Sequence, residues 1–242
     1  MLTTPAHPPP TAPAREPPSP HPPERLYGRR VGPSLSARQR RLLALTLPRL
    51  RFTPAAPEFL ARFPALAVEI GFGGGEHAAA LLAEAPDRGL IACEIYQNGI
   101  VSLLNRLVPQ AVDEATHPLP PNLRLWDEDA RALLTRLPPA SLDLLCLMFP
   151  DPWPKTRHAQ RRFFGPQALA RAAILLKPGA EWRIATDHPV YQSWVATCLA
   201  QPHEFHAPPP ATTRPEGWPA TRYEAKALRE GRQPLYWRLI RH

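Results

Sequence analysis

The sequence carries a glycine-rich segment of the kind that holds a nucleoside-bearing ligand. Residues 68–76 read VEIGFGGGE, an apolar run followed by a glycine loop. Glycines such as Gly71 and Gly73 let the backbone pass close to a ligand and turn into the next helix. Glu76 occupies the place where the dinucleotide fingerprint GxGxxG has its third glycine, and a carboxylate there repels a pyrophosphate. A sulfonium cofactor has no phosphate to repel, so the loop suits a cationic donor.

Further carboxylates follow the next two predicted strands. Glu94 stands 25 residues after Glu69, where an acidic side chain can accept hydrogen bonds from both hydroxyls of a ribose. This role fits NAD and S-adenosylmethionine equally. After the third strand, residues 127–129 read DED, and one of them can accept from an adenine amine or cap the helix that begins at Ala130. For the first two of these acids the cap is the favoured interpretation.

A proline-flanked carboxylate, Asp151, lies in the segment FPDPW (residues 149–153), directly after the fourth predicted strand. Proline restricts its own backbone and that of the residue before it, so this carboxylate has a restrained direction. The basic run that follows comprises Lys155, Arg157, His158, Arg161 and Arg162. A stiff loop beside a cofactor cleft, with cationic groups behind it, predicts an anionic polymer whose base enters the cleft.

Two polar segments occur closer to the C-terminus. The fifth strand is followed by Asp187 and His188, and we interpret the histidine as a helix-end residue in preference to a general base. Residues 221–224 read TRYE. From their types alone we predict the start of a helix, with Thr221 as its N-cap and Glu224 closing a capping box.

Short apolar runs and helical stretches alternate through most of the chain. The predicted strands span residues 66–72, 89–95, 122–126, 142–149 and 181–186, and the predicted helices span residues 76–84, 97–107, 130–137, 166–176 and 189–199. Continuous apolar runs are typical of strands buried on both faces. Five strand–helix repeats predict an α/β fold with a doubly wound parallel sheet. A last strand over residues 235–241 follows without a crossover helix of ordinary length, so we predict that it is antiparallel.

Composition narrows the class of protein. The chain has 242 residues, 44% of them hydrophobic, which is enough for a sizeable core. It has no apolar run of about 18 residues and no secretory signal pattern. Three widely spaced cysteines, Cys93, Cys146 and Cys198, indicate buried thiols in a reduced compartment and neither a disulfide framework nor a metal site. We therefore expect a soluble, cytoplasmic protein without a metal.

The formal charge of +8 favours a polyanionic partner, although a GC-rich genome also explains an excess of arginine. Residues 25–64 form a predicted basic arm with helices, one of them capped by Ser36. Its arginines, unopposed by acids over residues 25–51, are Arg25, Arg29, Arg30, Arg38, Arg40, Arg41, Arg49 and Arg51. We favour a phosphate-binding arm over a solvated helix face. Residues 1–24 hold ten prolines and predict a disordered tail.

Taken in order, these motifs resemble the bacterial tRNA (guanine-N7-)-methyltransferase family. The resemblance covers roughly residues 25–242, and FPDPW is its most specific part. The other matching segments are EIGFGGG from Glu69, Glu94, KTRHAQRR over residues 155–162, Thr186–Asp187 and TRYE over residues 221–224. The resemblance implies a class I, Rossmann-like methyltransferase domain over residues 65–242, S-adenosylmethionine as the methyl donor, and guanine 46 of the tRNA variable loop as the acceptor.

The resemblance also implies roles for individual residues. Cofactor binding would fall to Glu69, Gly71, Gly73, Glu94, Asp129 and Asp151. Substrate binding would fall to Lys155, Asp187, Thr221, Arg222, Tyr223 and Glu224. RNA binding would fall to Arg29, Arg30, Arg157, His158, Arg161 and Arg162. Asp151, at the junction of cofactor and acceptor, would be the catalytic residue.

A methyl transfer to guanine N7 needs no general base, because this nitrogen carries a lone pair at neutral pH. Our hypothesis is that Asp151, with Asp187 or Glu224, orients the guanine and stabilises the charge that develops on it. The alternatives are a methyltransferase for a small molecule or protein, an NAD-dependent oxidoreductase, and an RNA-binding protein without catalysis. The first leaves the basic runs unexplained, Glu76 argues against the second, and the glycine loop with its acids argues against the third. Whether the protein is a monomer or an oligomer is left open.

Overall fold

The computed structural model describes residues 30–55 and 58–242, and within these ranges one seven-stranded sheet organises the chain. The strands are β1 Ala65–Ile70, β2 Arg88–Cys93, β3 Leu123–Trp126, β4 Leu142–Met148, β5 Leu176–Thr186, β6 Phe205–His206 and β7 Leu235–Arg241. Their spatial order is β3-β2-β1-β4-β5-β7-β6. The first five strands are parallel, and β7 pairs antiparallel with both β5 and β6. The predicted doubly wound sheet with an antiparallel C-terminal strand is therefore confirmed.

Nine α-helices are found within the described ranges. They are α1 Ala37–Arg41, α2 Leu47–Leu50, α3 Glu58–Arg62, α4 Glu76–Glu84, α5 Gln97–Leu107, α6 Ala130–Leu134, α7 Pro166–Leu175, α8 Pro189–Leu199 and α9 Arg222–Arg229. A π-helical turn, Leu42–Thr46, joins α1 to α2, and a 3-10 helix spans Thr156–Arg161. The predicted bounds hold for α4, α5 and α8. Helix α6 stops three residues earlier than predicted, where the turn tightens and the Arg136 amide donates to the Leu133 carbonyl.

Apolar side chains cover both faces of the sheet, as the continuous apolar runs predict. One cluster includes Phe59 of α3, Leu133 of α6 and Trp182 of β5, and the other includes Leu42, Leu81 of α4 and Leu104 of α5. The strands between them are almost fully buried. The core therefore holds the carboxyl ends of β1, β2 and β4 in place at one edge.

The N-terminal arginines contact the protein itself. Arg41 pairs with Glu114 at 2.9 Å, and Arg38 donates to the carbonyls of Val108 and Pro109. Arg49 donates to the His117 carbonyl in the same α5–β3 connection. Ser36 caps α1 with a complete capping box, as predicted. The segment thus holds the α5–β3 connection in place. The predictions for the tail over residues 1–24 and for Arg25 and Arg29 concern residues outside the described ranges.

Cys93, Cys146 and Cys198 are buried free thiols, as predicted. Burial raises the pKa of each of them, because a thiolate loses its hydration there. In the part of the chain that the structure describes, no helix is both long and apolar enough to cross a membrane. The same ranges contain no cluster of His, Cys, Asp and Glu suited to a metal ion.

Candidate active site

A cavity of about 450 Å³ lies at the carboxyl ends of β1, β2, β3 and β4. In an open α/β sheet this edge is where ligands bind, because the loops that leave the strands converge there. The site residues predicted from the sequence that line this cavity are Gly71, Gly73, Glu94, Asp129, Asp151, Arg161 and Tyr223. Residues from six separate segments of the sequence therefore meet at one site.

The glycine loop turns from β1 into α4 through left-handed backbone. Gly71, Gly73 and Gly75 have φ angles of 70°, 57° and 80°. Residues other than glycine rarely adopt this left-handed backbone conformation. The loop is also crowded from α5, because a Cβ at Gly99 would lie 2.4 Å from the Gly73 carbonyl oxygen. Two glycines in contact thus let the loop and the helix approach each other.

The carboxylate of Glu94 is held at the cavity by backbone amides. It accepts from the Gly73 amide at 2.8 Å and from the amides of Ile95 and Tyr96 at 2.8 and 2.9 Å. Burial raises the pKa of Glu94, and the three amides oppose that shift. The side chain thus ties β2 to the glycine loop and presents a buried acceptor where the sequence predicts one for a ribose.

The acids after β3 have different surroundings. Asp129, and neither Asp127 nor Glu128, caps α6 by accepting from the Arg131 amide at 2.9 Å, so the predicted cap at the first two acids is wrong. Asp127 is taken up by Arg51 in a two-bonded ion pair of 2.7 and 2.9 Å. Glu128 and Asp129 both line the cavity. Arg51, which is distant in sequence, thus decides which acids face the cavity.

Glu69 lies beneath the glycine loop and is only 1% exposed. Its carboxylate is 3.1 Å from the Nδ1 atom of His77, which is also buried. Among the described residues, those that line the cavity do not include Glu69. Glu76 at the start of α4 pairs with Arg106 at 2.7 Å, which weakens the predicted repulsion of a pyrophosphate. Glu76 by itself therefore does not exclude a dinucleotide from the loop.

The FPDPW segment has strained backbone next to the exposed carboxylate of Asp151. Phe149 and Trp153 have positive φ angles of 52° and 42°, which cost free energy in residues other than glycine. Arg162 supports this turn, since its guanidinium donates to the carbonyls of Pro152 and Trp153 at 3.2 and 3.1 Å. The turn thus brings Phe149, Asp151 and Trp153 to the cavity wall.

The basic run divides into exposed and buried members. Lys155 and Arg157 are exposed, and Arg161 lies over the Trp153 ring at 4.9 Å while lining the cavity. His158 packs edge-on against the same ring. Partial desolvation and the nearby arginines lower the pKa of His158. Arg162 is only 8% exposed.

Replacing Arg162 by methionine is expected to lower the free energy of unfolding by about 2 kcal/mol, because two loop carbonyls lose their donor. Urea denaturation measures this change. Arg157→Met is the matched control, since it removes an exposed arginine from the same loop and leaves stability unchanged. If Arg162→Met has wild-type stability and binds RNA more weakly, then the Arg162 guanidinium contacts RNA and does not stabilise the loop.

The C-terminal segment brings α9 to the cavity. Thr221 caps α9 as predicted, but the prediction that the Glu224 side chain closes a capping box is wrong. The Glu224 carboxylate turns inward, where it accepts from the Tyr236 hydroxyl at 2.9 Å and from Arg214 at 3.1 Å. Tyr223 lines the cavity and is 42% exposed. Burial of Glu224 therefore fixes α9 so that the tyrosine ring lies against the glycine loop.

Other predicted residues lie away from the cavity lining. Arg222 is exposed beside Tyr223, and Asp187 pairs with Arg232 at 2.6 Å. His188 caps α8 through its ring nitrogen, as expected for a helix-end residue. Arg30 borders a neighbouring groove that also contains Arg51 and Asp127.

Four lining or supporting residues were not predicted from the sequence: Tyr96, Gly99, Arg131 and Phe163. Gly99 offered a signal, since a glycine inside a predicted helix costs stability and often marks close packing. The other three have ordinary types at ordinary helix and loop positions. Only their place at the sheet edge makes them part of the site.

A sheet in this order, with a glycine-loop cavity at its carboxyl edge, defines a Rossmann-like methyltransferase fold. Residues 64–236 match the family model described as "Putative methyltransferase". Two curated relatives are each named tRNA (guanine-N(7)-)-methyltransferase. One, from Granulibacter bethesdensis, is 58% identical and covers 90% of this chain and 96% of its own. The other, from Paramagnetospirillum magneticum, is 42% identical and covers 88% and 91%. The chain belongs to this tRNA (guanine-N7)-methyltransferase family.

Solved structures with low sequence identity share the fold. The 16S rRNA methyltransferase KamB superposes with a TM-score of 0.54 at 19% identity, over 79% of this chain and 95% of its own. An antibiotic-related methyltransferase gives a TM-score of 0.52 at 16% identity, over 79% and 94%. The predicted fold class is therefore confirmed.

Proposed function

We propose that this protein transfers a methyl group from S-adenosylmethionine to N7 of guanine 46 in the variable loop of tRNA. The observation that carries the proposal is one cavity in which the glycine loop and Glu94 meet Asp151, next to an exposed basic loop. Family membership supports the reaction and the substrate. A tRNA substrate agrees with the cytoplasmic location expected from the sequence.

The cavity fits S-adenosylmethionine through its donors, acceptors and size. Gly71 leaves the loop backbone open, since a Cβ there would meet no atom within 4 Å. Glu94 and Asp129 offer carboxylate oxygens for ribose hydroxyls and an adenine amine. When bound, the cofactor supplies an electrophilic methyl group on a sulfonium. Glu69 lies below the loop and acts on the site by supporting it.

Asp151 is placed to orient the guanine. It is exposed and lines the cavity, and its charge adds to burial, the main cause, in raising the pKa of Glu94. A carboxylate accepts from the N1 and N2 donors of guanine and stabilises positive charge that develops on the ring. Tyr223 lies at the same wall and is 42% exposed, so a base can stack on its ring. These residues supply proximity and orientation, and no proton must be removed before N7 attacks.

Residues around the cavity share the contact with the tRNA. Lys155, Arg157, His158 and Arg161 form the basic loop beside Asp151, where they meet the phosphates around the target base. Arg162 supports the loop from inside. Thr221 caps α9, the helix that carries Tyr223, and Glu224 positions this helix from inside. Arg222 and Asp187 lie outside the cavity lining and are assigned to the tRNA around the target base. Arg30, exposed beside the neighbouring groove, is a further candidate contact for the tRNA.

The proposal is tested by transfer of labelled methyl from S-adenosylmethionine to unmodified tRNA with a variable-loop guanine. We expect incorporation into this tRNA and none into the same tRNA with 7-deazaguanine at that position, because the acceptor nitrogen is missing. Equal labelling of both RNAs would show that the methyl acceptor is an atom other than N7 of this guanine. Cofactor binding without labelling of either RNA would favour a small-molecule or protein substrate.

A further inference from the structure

Three arginines lie together at the β3 edge of the sheet, outside the cavity. Arg62 ends α3, Arg124 belongs to β3, and Arg136 follows α6. Helices α3 and α6 cover the same face of the sheet, since Phe59 and Leu133 belong to one apolar cluster. We call these three residues the edge arginines.

Each of the edge arginines stacks on an aromatic ring. The guanidinium of Arg124 is 4.6 Å from the centroid of Phe59, and that of Arg62 is 5.6 Å from Phe63. Arg136 lies 5.5 Å from Trp126. The two phenylalanine rings are in contact with a centroid distance of 5.2 Å. Stacking restrains a guanidinium and leaves its N–H groups at the ring edge for another partner.

No acid of the described residues lies within ion-pair distance of an edge arginine, although Glu58 stands four residues before Arg62 in α3. In the described residues none of the three forms an ion pair, whereas Arg41, Arg51 and Arg106 each do. One amino group of Arg124 donates to the carbonyls of Pro121 and Leu123. Burial and, next, the charge of Arg62 lower the pKa of Arg124, so the two guanidiniums repel each other. A bound anion would relieve this repulsion.

We propose that the edge arginines bind the phosphate backbone of the tRNA at a second site, which rests on the proposed function. Arg124 and Asp129 at the cavity are five residues apart in the chain, so their Cα atoms are at most about 18 Å apart. This distance is shorter than one turn of a nucleic-acid helix, about 34 Å. An RNA arm that delivers its base to the cavity therefore reaches the edge arginines, whose planar guanidiniums suit phosphate oxygens.

The experiment measures the dissociation constant of tRNA against salt concentration for Arg62→Gln, Arg124→Gln, Arg136→Gln and the triple variant. Each lost phosphate contact is expected to reduce the slope of log Kd against log salt by about 0.7 to 0.9. The triple variant therefore loses a slope of about 2 to 3 and binds tRNA about tenfold more weakly at 0.1 M salt. S-Adenosylmethionine affinity and melting temperature show that each variant is folded.

Two controls separate charge from packing. Arg238→Gln removes an exposed arginine of β7, near the opposite edge of the sheet, and is expected to leave the slope unchanged because Arg238 pairs with Glu181 at 2.7 Å. A triple lysine variant keeps the charges without the stacked guanidiniums, so it retains most of the slope. Equal loss in the lysine and glutamine variants would assign the cluster to packing and overturn the proposal.

Wild-type tRNA affinity and slope in the triple glutamine variant would overturn the proposal directly. The same holds if the variant binds tRNA normally and loses binding to phosphatidylglycerol vesicles, which would make the cluster a membrane contact. Methyl transfer by the wild-type protein decides the proposed function separately. The salt slopes decide the edge arginines whichever way that assay ends.

Discussion

Asp151→Asn is expected to lower kcat for tRNA methylation by about 100- to 1,000-fold at saturating tRNA and cofactor. The asparagine keeps the size of the side chain but loses the negative charge that stabilises positive charge on the guanine. Asp151 is exposed and contributes little to the core, so the free energy of unfolding changes by less than about 0.5 kcal/mol. Single-turnover methyl transfer measures the effect on chemistry apart from product release.

Asp87→Asn is the matched control for Asp151. Asp87 is an exposed acid that precedes β2, at the edge of the sheet opposite the cavity. Its replacement removes the same charge and is expected to leave kcat unchanged. If Asp151→Asn turns over at the wild-type rate under the same conditions, the carboxylate neither orients the guanine nor stabilises its charge.

Gly99→Ala is expected to weaken S-adenosylmethionine binding by about 10- to 100-fold, the effect of overpacking by one methyl group. The new Cβ would lie 2.4 Å from the Gly73 carbonyl oxygen and 3.3 Å from the Glu94 side chain. The glycine loop must therefore move away, and the Glu94 carboxylate loses its bond to the Gly73 amide. Titration calorimetry with S-adenosylmethionine measures the change.

Stability provides the internal check on Gly99→Ala, because alanine favours a helix by about 1 kcal/mol over glycine. Loss of affinity without loss of stability would locate the effect in the loop. Gly165→Ala is the control, since a Cβ there meets its first neighbour, Trp194, at 3.8 Å. Unchanged cofactor affinity in Gly99→Ala would show that the loop has room the structure does not indicate.

The site residues that could be predicted are those whose position depends on neighbouring residues in the sequence. Gly71, Gly73, Glu94 and Asp151 follow strands, and residues that follow parallel strands meet at one edge of the sheet. Order along the chain was therefore enough to place these four residues on one cavity. The helix caps at Ser36 and Thr221 were predictable for the same reason, since a cap involves only its neighbours in sequence.

The unpredicted part depends on partners that are distant in sequence. Asp127 pairs with Arg51 and does not line the cavity. The Glu224 carboxylate accepts from Tyr236 and Arg214 and does not close a capping box. Arg162 belongs to a basic run, yet it is buried, because its guanidinium donates to two carbonyls of the strained turn after β4. The sequence shows where arginines occur along the chain. It does not show which of them donate hydrogen bonds to acceptors within the folded protein.

The sequence by itself determined the parallel sheet, its antiparallel last strand, the glycine loop and the family of the protein, because periodicity and motif order survive without coordinates. Only the tertiary structure decided how the charges are used. Within the described residues, Arg38, Arg41 and Arg49 bind the α5–β3 connection. Arg62, Arg124 and Arg136 instead stack on aromatic rings and form no ion pair within these residues. Ion pairing depends on distances of about 4 Å between side chains, and the fold sets those distances between residues far apart in the chain.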